Sequence, residues 1–329
     1  MSTPAFELDV VTVGEPMVLF AAQQAGPLNE ASSFARTTAG AELNVAIGLA
    51  RLGLRTGYLS RVGQDLFGRH ILSVLAREGI DHHQVVADPE HPTGFMLKSR
   101  NDDGSDPQIQ YVRRGSAASR MQASDLPRAY CGSARHLHLT GIFVGVSPTT
   151  RALVFEMAAL ARASGQSVSF DPNLRPALWR SQAEMVECLN RLSSFSDWVL
   201  PGLEEGRVLT GCESPEDIAD FYLKRGARGV VVKLGPQGAY CATPGENRLV
   251  EGVPVPRVVD TVGAGDGFAV GVISGLLEGL SLAEATARGN AIGARVVQFP
   301  GDADGLPTRA ELLSLATCPT ANAPSAPWA

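Results

Sequence analysis

Residues 260–268 read Asp260-Thr261-Val262-Gly263-Ala264-Gly265-Asp266-Gly267-Phe268 and lead directly into an apolar helical run. The glycines let the backbone turn tightly and come close to a ligand. A helix that begins here presents unpaired N–H groups and the positive end of its dipole to an anion. Asp266 falls in the same first turn, where a carboxylate is stabilised as the ion and can accept a proton from a hydroxyl. An anion cradle and a base at one point suit phosphoryl transfer to an alcohol. The same residues also fit a plain Gly-rich helix start capped by an acid, and the local pattern leaves both readings open. A dinucleotide fingerprint fits poorly, because the spacing is GxGxG and lies late in the chain. A Walker A loop is absent from the sequence.

Outward from this turn, strands and helices alternate. Toward the N-terminus the pattern predicts strands at 8–13 (LDVVTV), 56–62, 136–140, 167–170, 198–200 and 229–233. Between them it predicts helices at 41–52, 66–77, 148–163 and 204–209, several closed by glycines such as Gly53 and Gly79. Two longer helices follow at 264–277 and 282–297. That pitch predicts a doubly wound α/β fold with a mainly parallel sheet. From about 85 to 111 the pattern shifts to short alternating runs around a turn-rich loop at 101–107, which reads as a β-ribbon leaving the main sheet.

The chain has 329 residues, 44% of them hydrophobic, enough to bury a sizeable core and to exclude a disordered chain. The expected organisation is one α/β domain over 1–316 with a small β lid from about 16–37 and 93–113. Residues 317–329, uncharged and rich in Ala and Pro, read as a disordered tail. With 28 basic and 34 acidic side chains the net charge is −6, which argues against a nucleic-acid partner. It permits an anionic small molecule bound by arginines inside a cleft. Five scattered cysteines without a CxxC pair argue against a disulfide framework or zinc site and for a reducing compartment. No signal peptide and no apolar run long enough for a membrane span is seen, so a cytoplasmic enzyme is expected. His136 and His138, two apart on a strand, read as a structural pair.

Three stretches together resemble the ribokinase/PfkB family of carbohydrate kinases. DTVGAGDGFAVGVI at 260–273 is similar to that family's C-terminal signature. Thr38-Ala39-Gly40-Ala41-Glu42-Leu43-Asn44-Val45-Ala46, followed by a helix ending LARLG, resembles its sugar-binding motif. Arg61-Val62-Gly63-Gln64-Asp65 with Gly68 resembles its RVGxDxxG stretch. The similarity spans about 8–315. Within the family, residues 111–119 (YVRRGSAAS) and 171–175 (DPNLR) look like the subgroup acting on 2-keto-3-deoxygluconate. An acceptor with a carboxylate calls for arginines able to grip it bidentately, which a neutral hexose would not need.

The resemblance implies a ribokinase-like fold, with ATP and Mg²⁺ as cofactors and a sugar acid as the small-molecule partner. It places Gly40, Ala41 and Asn44 against acceptor hydroxyls, and Tyr111, Arg113, Arg175 and Asp302 around the rest of the acceptor. Asn173, Lys233, Gly235 and Gly238 fall along ATP, with Asn290 on the adenine side. Gly263, Ala264 and Gly265 supply the anion hole and Asp266 the base. Glu205 acts through metal-bound water. Two departures stand out: Gly202 replaces the Asn of an N-x-x-E motif, and Met96 stands where related kinases often carry Tyr. The expected reaction moves the γ-phosphoryl group of ATP to the C6 hydroxyl, giving 2-keto-3-deoxy-6-phosphogluconate and ADP. The expected assembly is a homo-oligomer, a dimer through the lid or larger. Alternatives are a fructokinase or 5-dehydro-2-deoxygluconate kinase, a catalytically silent sugar-binding protein, and a nicotinamide dehydrogenase.

Overall fold

A computed structural model of the chain describes residues 6–101 and 107–317. The strands are β1 (Leu8–Val13), β2 (Met17–Ala25), β3 (Phe34–Ala39), β4 (Thr56–Gly63), β5 (Val85–Asp88), β6 (Phe95–Arg100) and β7 (Ile109–Val112). After them come β8 (Ala134–Thr140), β9 (Ser167–Asp171), β10 (Trp198–Val199), β11 (Gly229–Lys233), β12 (Gly238–Ala242) and β13 (Asn247–Glu251). Nine of these form one sheet in the order β13-β12-β11-β10-β9-β8-β1-β4-β5. The seven from β11 to β5 run parallel, and β12 and β13 are antiparallel additions at one edge.

The core explains the sheet. Every residue of β1 is buried, Asp9 and Thr12 included, as expected of a central strand covered on both faces of a parallel sheet. Val11 and Val13 face a core shared with helices Pro148–Ala163, Gln182–Ser193 and Pro215–Leu223. Val10 faces the opposite core, shared with helices Ala41–Arg51, Leu66–Arg77, Ala264–Leu277 and Leu282–Val296. Local signals start several helices. Asp65 accepts a hydrogen bond from Gly68 N at 2.7 Å, and Ser147 caps a helix with Pro148 at its first position. Helices Ala264–Leu277 and Leu282–Val296 touch backbone to backbone, since a Cβ on Gly271 would lie 2.5 Å from Gly289 Cα. This contact fixes the helix that begins in the glycine turn.

The second sheet, β3-β2-β6-β7, is small and mixed. It corresponds to the expected lid segments and is anchored by edge-to-face contacts among Phe20, Phe67 and Phe95. Several elements lay outside the sequence reading: helices Gln182–Ser193 and Pro215–Leu223, the β12–β13 pair, and helix Arg309–Thr317. The helix expected at 204–209 runs Leu203–Thr210, and the strand expected at 198–200 is only Trp198–Val199. Thr317, expected to open a tail, ends a helix; the remainder, 318–329, and loop residues 102–106 lie outside the described residues. No described helix is long and apolar enough to cross a membrane.

Candidate active site

Strand order reverses between β8 and β1, with β4 on one side of β1 and β8 on the other. In open α/β sheets ligands bind at such a switch point, beyond the carboxyl ends of the strands. A cavity of about 360 Å³ lies there. Its floor comes from residues at or just past strand ends: Glu15 after β1, Ile142 after β8, Asp171 ending β9 and Lys233 ending β11. Met96, Ile109 and Tyr111 of the small sheet form its roof.

Asp266 projects into this cavity from the first turn of helix Ala264–Leu277 and is 9% exposed. Asn44 Nδ2 donates to its Oδ2 at 2.7 Å, and Asn173 Nδ2 to its Oδ1 at 3.4 Å. Asn173 holds a left-handed backbone at φ 39, a conformation asparagine tolerates better than most residues. Burial pushes the Asp266 carboxyl up to about 7; the Asn44 hydrogen bond and Arg175 oppose this, and Asp171 and Asp302 reinforce it. The group is therefore poised near neutrality, where a general base works best. Asn44 Oδ1 is buried without a partner among the described residues. It is the acceptor a substrate hydroxyl would use. Gly40 beside it, at φ 132, would place a Cβ 2.7 Å from Glu15 O, so only glycine fits.

The glycine turn is equally constrained. Gly263, at φ 85, would place a Cβ 2.3 Å from Asp302 O. Gly265 has Lys233 Nζ 3.7 Å from the equivalent point. Lys233 Nζ donates to Asp171 Oδ2 at 2.7 Å and lies 4.0 Å from Glu205. Burial pushes Asp171 up to about 6 despite that ammonium. Glu205 accepts from Leu174 N and Gly202 N, each at 2.7 Å, and thus braces two backbone segments. Gly202, where the family motif carries Asn, is the N-cap of helix Leu203–Thr210 and makes its contact with Glu205 through its backbone N–H.

The three arginine and tyrosine candidates gather at the roof side, in different electrostatic states. Arg113 Nε donates to Glu15 Oε2 at 2.7 Å, and Ser116 Oγ donates to Glu15 Oε1 at 2.5 Å. Its charge is already matched. Tyr111 lies under the Arg113 guanidinium at 5.9 Å. Arg175 donates only to Leu174 O at 2.8 Å and faces no carboxylate at bonding distance among the described residues. Glu42, fully buried, accepts from Thr140 Oγ1, and burial pushes its carboxyl upward.

Gly235 and Gly238 shape the turn between β11 and β12, outside this cavity. Asn290 Nδ2 donates to Val250 O and Glu251 O, tying its helix to β13. Its neighbours Ala291 and Ala294 instead line a second cavity, of about 410 Å³, with Val253, Pro254, Val255 and Phe299. His136 and His138 form a buried structural pair around Ser167 and Ser169, and burial pushes both down to about 3. Sequence reasoning missed Glu15, Glu42 and Lys98, whose partners lie far away in the chain. It passed over Asp171, which the DPNLR motif contained.

The model of the pfkB family carbohydrate kinases matches residues 7–309. The chain belongs to that family. This pfkB kinase is 52% identical over 309 residues to the 2-dehydro-3-deoxygluconokinase of Bacillus subtilis, covering 94% of the chain and 95% of that protein. A crystal structure of a PfkB protein from Polaromonas has 52% identity and a TM-score of 0.87, covering 93% of this chain and 99% of that one. A putative ribokinase II from E. coli, solved in complex with ATP and Mg²⁺, has 27% identity and a TM-score of 0.87, over 94% and 99% of the two chains. The pfkB kinase therefore has ribokinase-like neighbours, a large mostly parallel sheet and a smaller sheet above its cleft.

Proposed function

We propose that the enzyme transfers the γ-phosphoryl group of ATP to the C6 hydroxyl of 2-keto-3-deoxygluconate. The observation that carries this reading is the meeting, in one cavity, of a buried carboxyl at the glycine turn with an arginine that no acid neutralises. Asp266 and Arg175 are those two groups. The similarity to a 2-dehydro-3-deoxygluconokinase supports the choice of a sugar acid.

In this reading the acceptor lies beneath Met96 and Tyr111, a hydroxyl donates to Asn44 Oδ1, and the carboxylate meets Arg175. Asp266 Oδ takes the proton of the C6 hydroxyl as that oxygen attacks the γ-phosphorus and ADP leaves with the bridging oxygen. The N–H groups of Gly263, Ala264 and Gly265 stabilise charge on the transferring phosphoryl group. The apolar second cavity receives adenine, and Lys233 lies beside the phosphates. In this reading Mg²⁺ would be held mainly by substrate phosphates and waters, as is common for this ion, with Glu205 on the cavity wall as the carboxylate nearest to Lys233 after Asp171. Bound there, it would neutralise phosphate charge, and Glu205 would hold it through water. The small sheet, with strands open at both edges, serves as the contact between copies; light scattering of a variant with charged residues on that sheet tests it.

The test of function is ADP release with Mg-ATP on 2-keto-3-deoxygluconate, fructose and ribose. A preference for the acid, lost in Arg175→Ala, is expected. A preference for a neutral sugar in the wild type refutes the acceptor assignment.

A further inference from the structure

Only three of the 28 basic residues are lysines; of these, Lys98 is buried and Lys233 is half-buried at the cleft. Lys233 belongs to the floor already described. Lys98 does not. It sits on β6 two residues after Met96, so both side chains point to the same face of the small sheet. Met96 meets the acceptor cavity, and Lys98 is 2% exposed beneath the sheet.

Its ammonium bridges two carboxylates from separate segments. Lys98 Nζ donates to Asp260 Oδ2 at 2.6 Å and to Asp302 Oδ1 at 2.7 Å. Both belong to the frame of the glycine turn. Asp260 opens the turn and accepts from Val262 N at 3.0 Å through its other oxygen. Asp302 backs the turn, with its carbonyl against Gly263. A compact ammonium with three donors reaches both carboxylates from a single point. The bridge spans 162 and 204 residues of sequence and joins the roof to the turn.

We propose that Lys98 is a positioning residue that couples the small sheet to the phosphoryl-transfer turn. An acceptor seated under Met96 fixes β6, and Lys98 passes that position to Asp260 and Asp302, which set the N–H groups of the turn. This rests on the reaction proposed above. Lys98 touches no reacting atom and acts through the two carboxylates.

The experiment compares wild type, Lys98→Met and Lys98→Arg for kcat, acceptor KM, ADP affinity and the pH profile of kcat. In Lys98→Met, kcat is expected to fall by about a hundredfold, the scale of a misplaced active-site element. Acceptor KM rises as well, while ADP affinity stays within about twofold, because the turn meets the phosphoryl group most tightly in the transition state. Lys98→Arg recovers part of kcat. The acid limb of the profile should also move. Asp266 faces Asp171, Asp302, Arg175 and Lys233, and Asp302 faces Lys98, Asp260 and Asp304. Without the ammonium, the bare Asp302 charge carries the limb to higher pH. Asp302→Asn removes that charge while leaving the Lys98–Asp260 bond, and carries the limb to lower pH. It is also the variant to use if Lys98→Met does not fold.

A Lys98→Met enzyme with a lower melting temperature but unchanged kcat, KM and pH profile overturns the proposal. So does an Asp302→Asn limb that does not move when Lys98→Met is unfolded. Wild type is assayed first on the keto acid and on fructose. A wrong acceptor then shows as a wild type inactive on the acid, and the comparison is run on whichever sugar is turned over.

Discussion

Replacing Asp266 with Asn separates catalysis from stability. The variant keeps the side-chain volume and the oxygen to which Asn44 donates at 2.7 Å, and it loses the proposed base. Removing a general base costs roughly 10²–10⁴-fold in kcat. Stability moves the other way. Burial raises the folded carboxyl from 3.8 to about 7, so the folded chain holds a proton that the unfolded chain has released. That contribution is complete below pH 3.8, shrinks as pH rises, and is gone above about 7. Three pH units at about 1.4 kcal/mol each set a ceiling of roughly 4 kcal/mol for the cost of the ionised group. Asn never ionises, so Asp266→Asn should gain on wild type from pH 5 upward, with the gap levelling off above pH 7. Urea unfolding at intervals from pH 5 to 8.5 measures the gap, and wild-type kcat should rise over the same interval. Stability curves that stay parallel, together with near-normal kcat in the variant, would refute both the burial argument and the role of the base.

Other changes test the rest of the cleft. Arg175→Ala should raise KM for the keto acid at least about tenfold, the scale of a charged contact, and leave turnover of neutral sugars unchanged; steady-state kinetics on both decides. Arg113→Ala should cost about 3–5 kcal/mol of folding stability, because it strands the buried Glu15 carboxylate; a smaller loss in urea unfolding would show that Glu15 finds another partner. Gly263→Ala should abolish turnover, since its Cβ would fall 2.3 Å from Asp302 O at a φ of 85. Chelating divalent metal should stop ADP release, and Mg²⁺ should restore it.

What could be read in the sequence divides by distance along the chain. Helices Leu66–Arg77, Pro148–Ala163 and Ala264–Leu277 match their expected limits because their signals are local: an Asp or Ser cap, a Pro at the first position, a glycine turn. Helix Pro215–Leu223 carried the same kind of signal in Ser214-Pro215-Glu216-Asp217 and was passed over. The glycine turn and Asp266 were visible for the same local reason. Their partners were not. Asn44 lies 222 residues from Asp266, Glu15 lies 98 from Arg113, and Lys98 lies 162 from Asp260. No periodicity links such pairs; only the sheet order brings them together. The motif places Arg113 at the acceptor, but its ion pair with Glu15 cannot be read in the sequence.

That difference changes how the cleft recognises an anion. Six carboxylates line it, Glu15, Glu42, Asp171, Glu205, Asp266 and Asp302, against Arg113, Arg175 and Lys233. Arg113 is held by Glu15 and Lys233 by Asp171, which leaves Arg175 as the cation with no acid of its own. Burial raises Glu42, Asp171, Asp266 and Asp302, so protons progressively remove an acid excess that stands at three charges when all six carboxyls are ionised. A triphosphate entering alone would find amide donors and one lysine already bonded to an acid. A divalent cation carried in with the nucleotide changes that balance, and the chelation result expected above has this origin. The acceptor faces the same shortage. One unneutralised guanidinium can grip one carboxylate, and the acids around it repel a second. In the reading proposed above the cleft suits a monoanionic sugar acid, and a diacid of the same length should be disfavoured by charge.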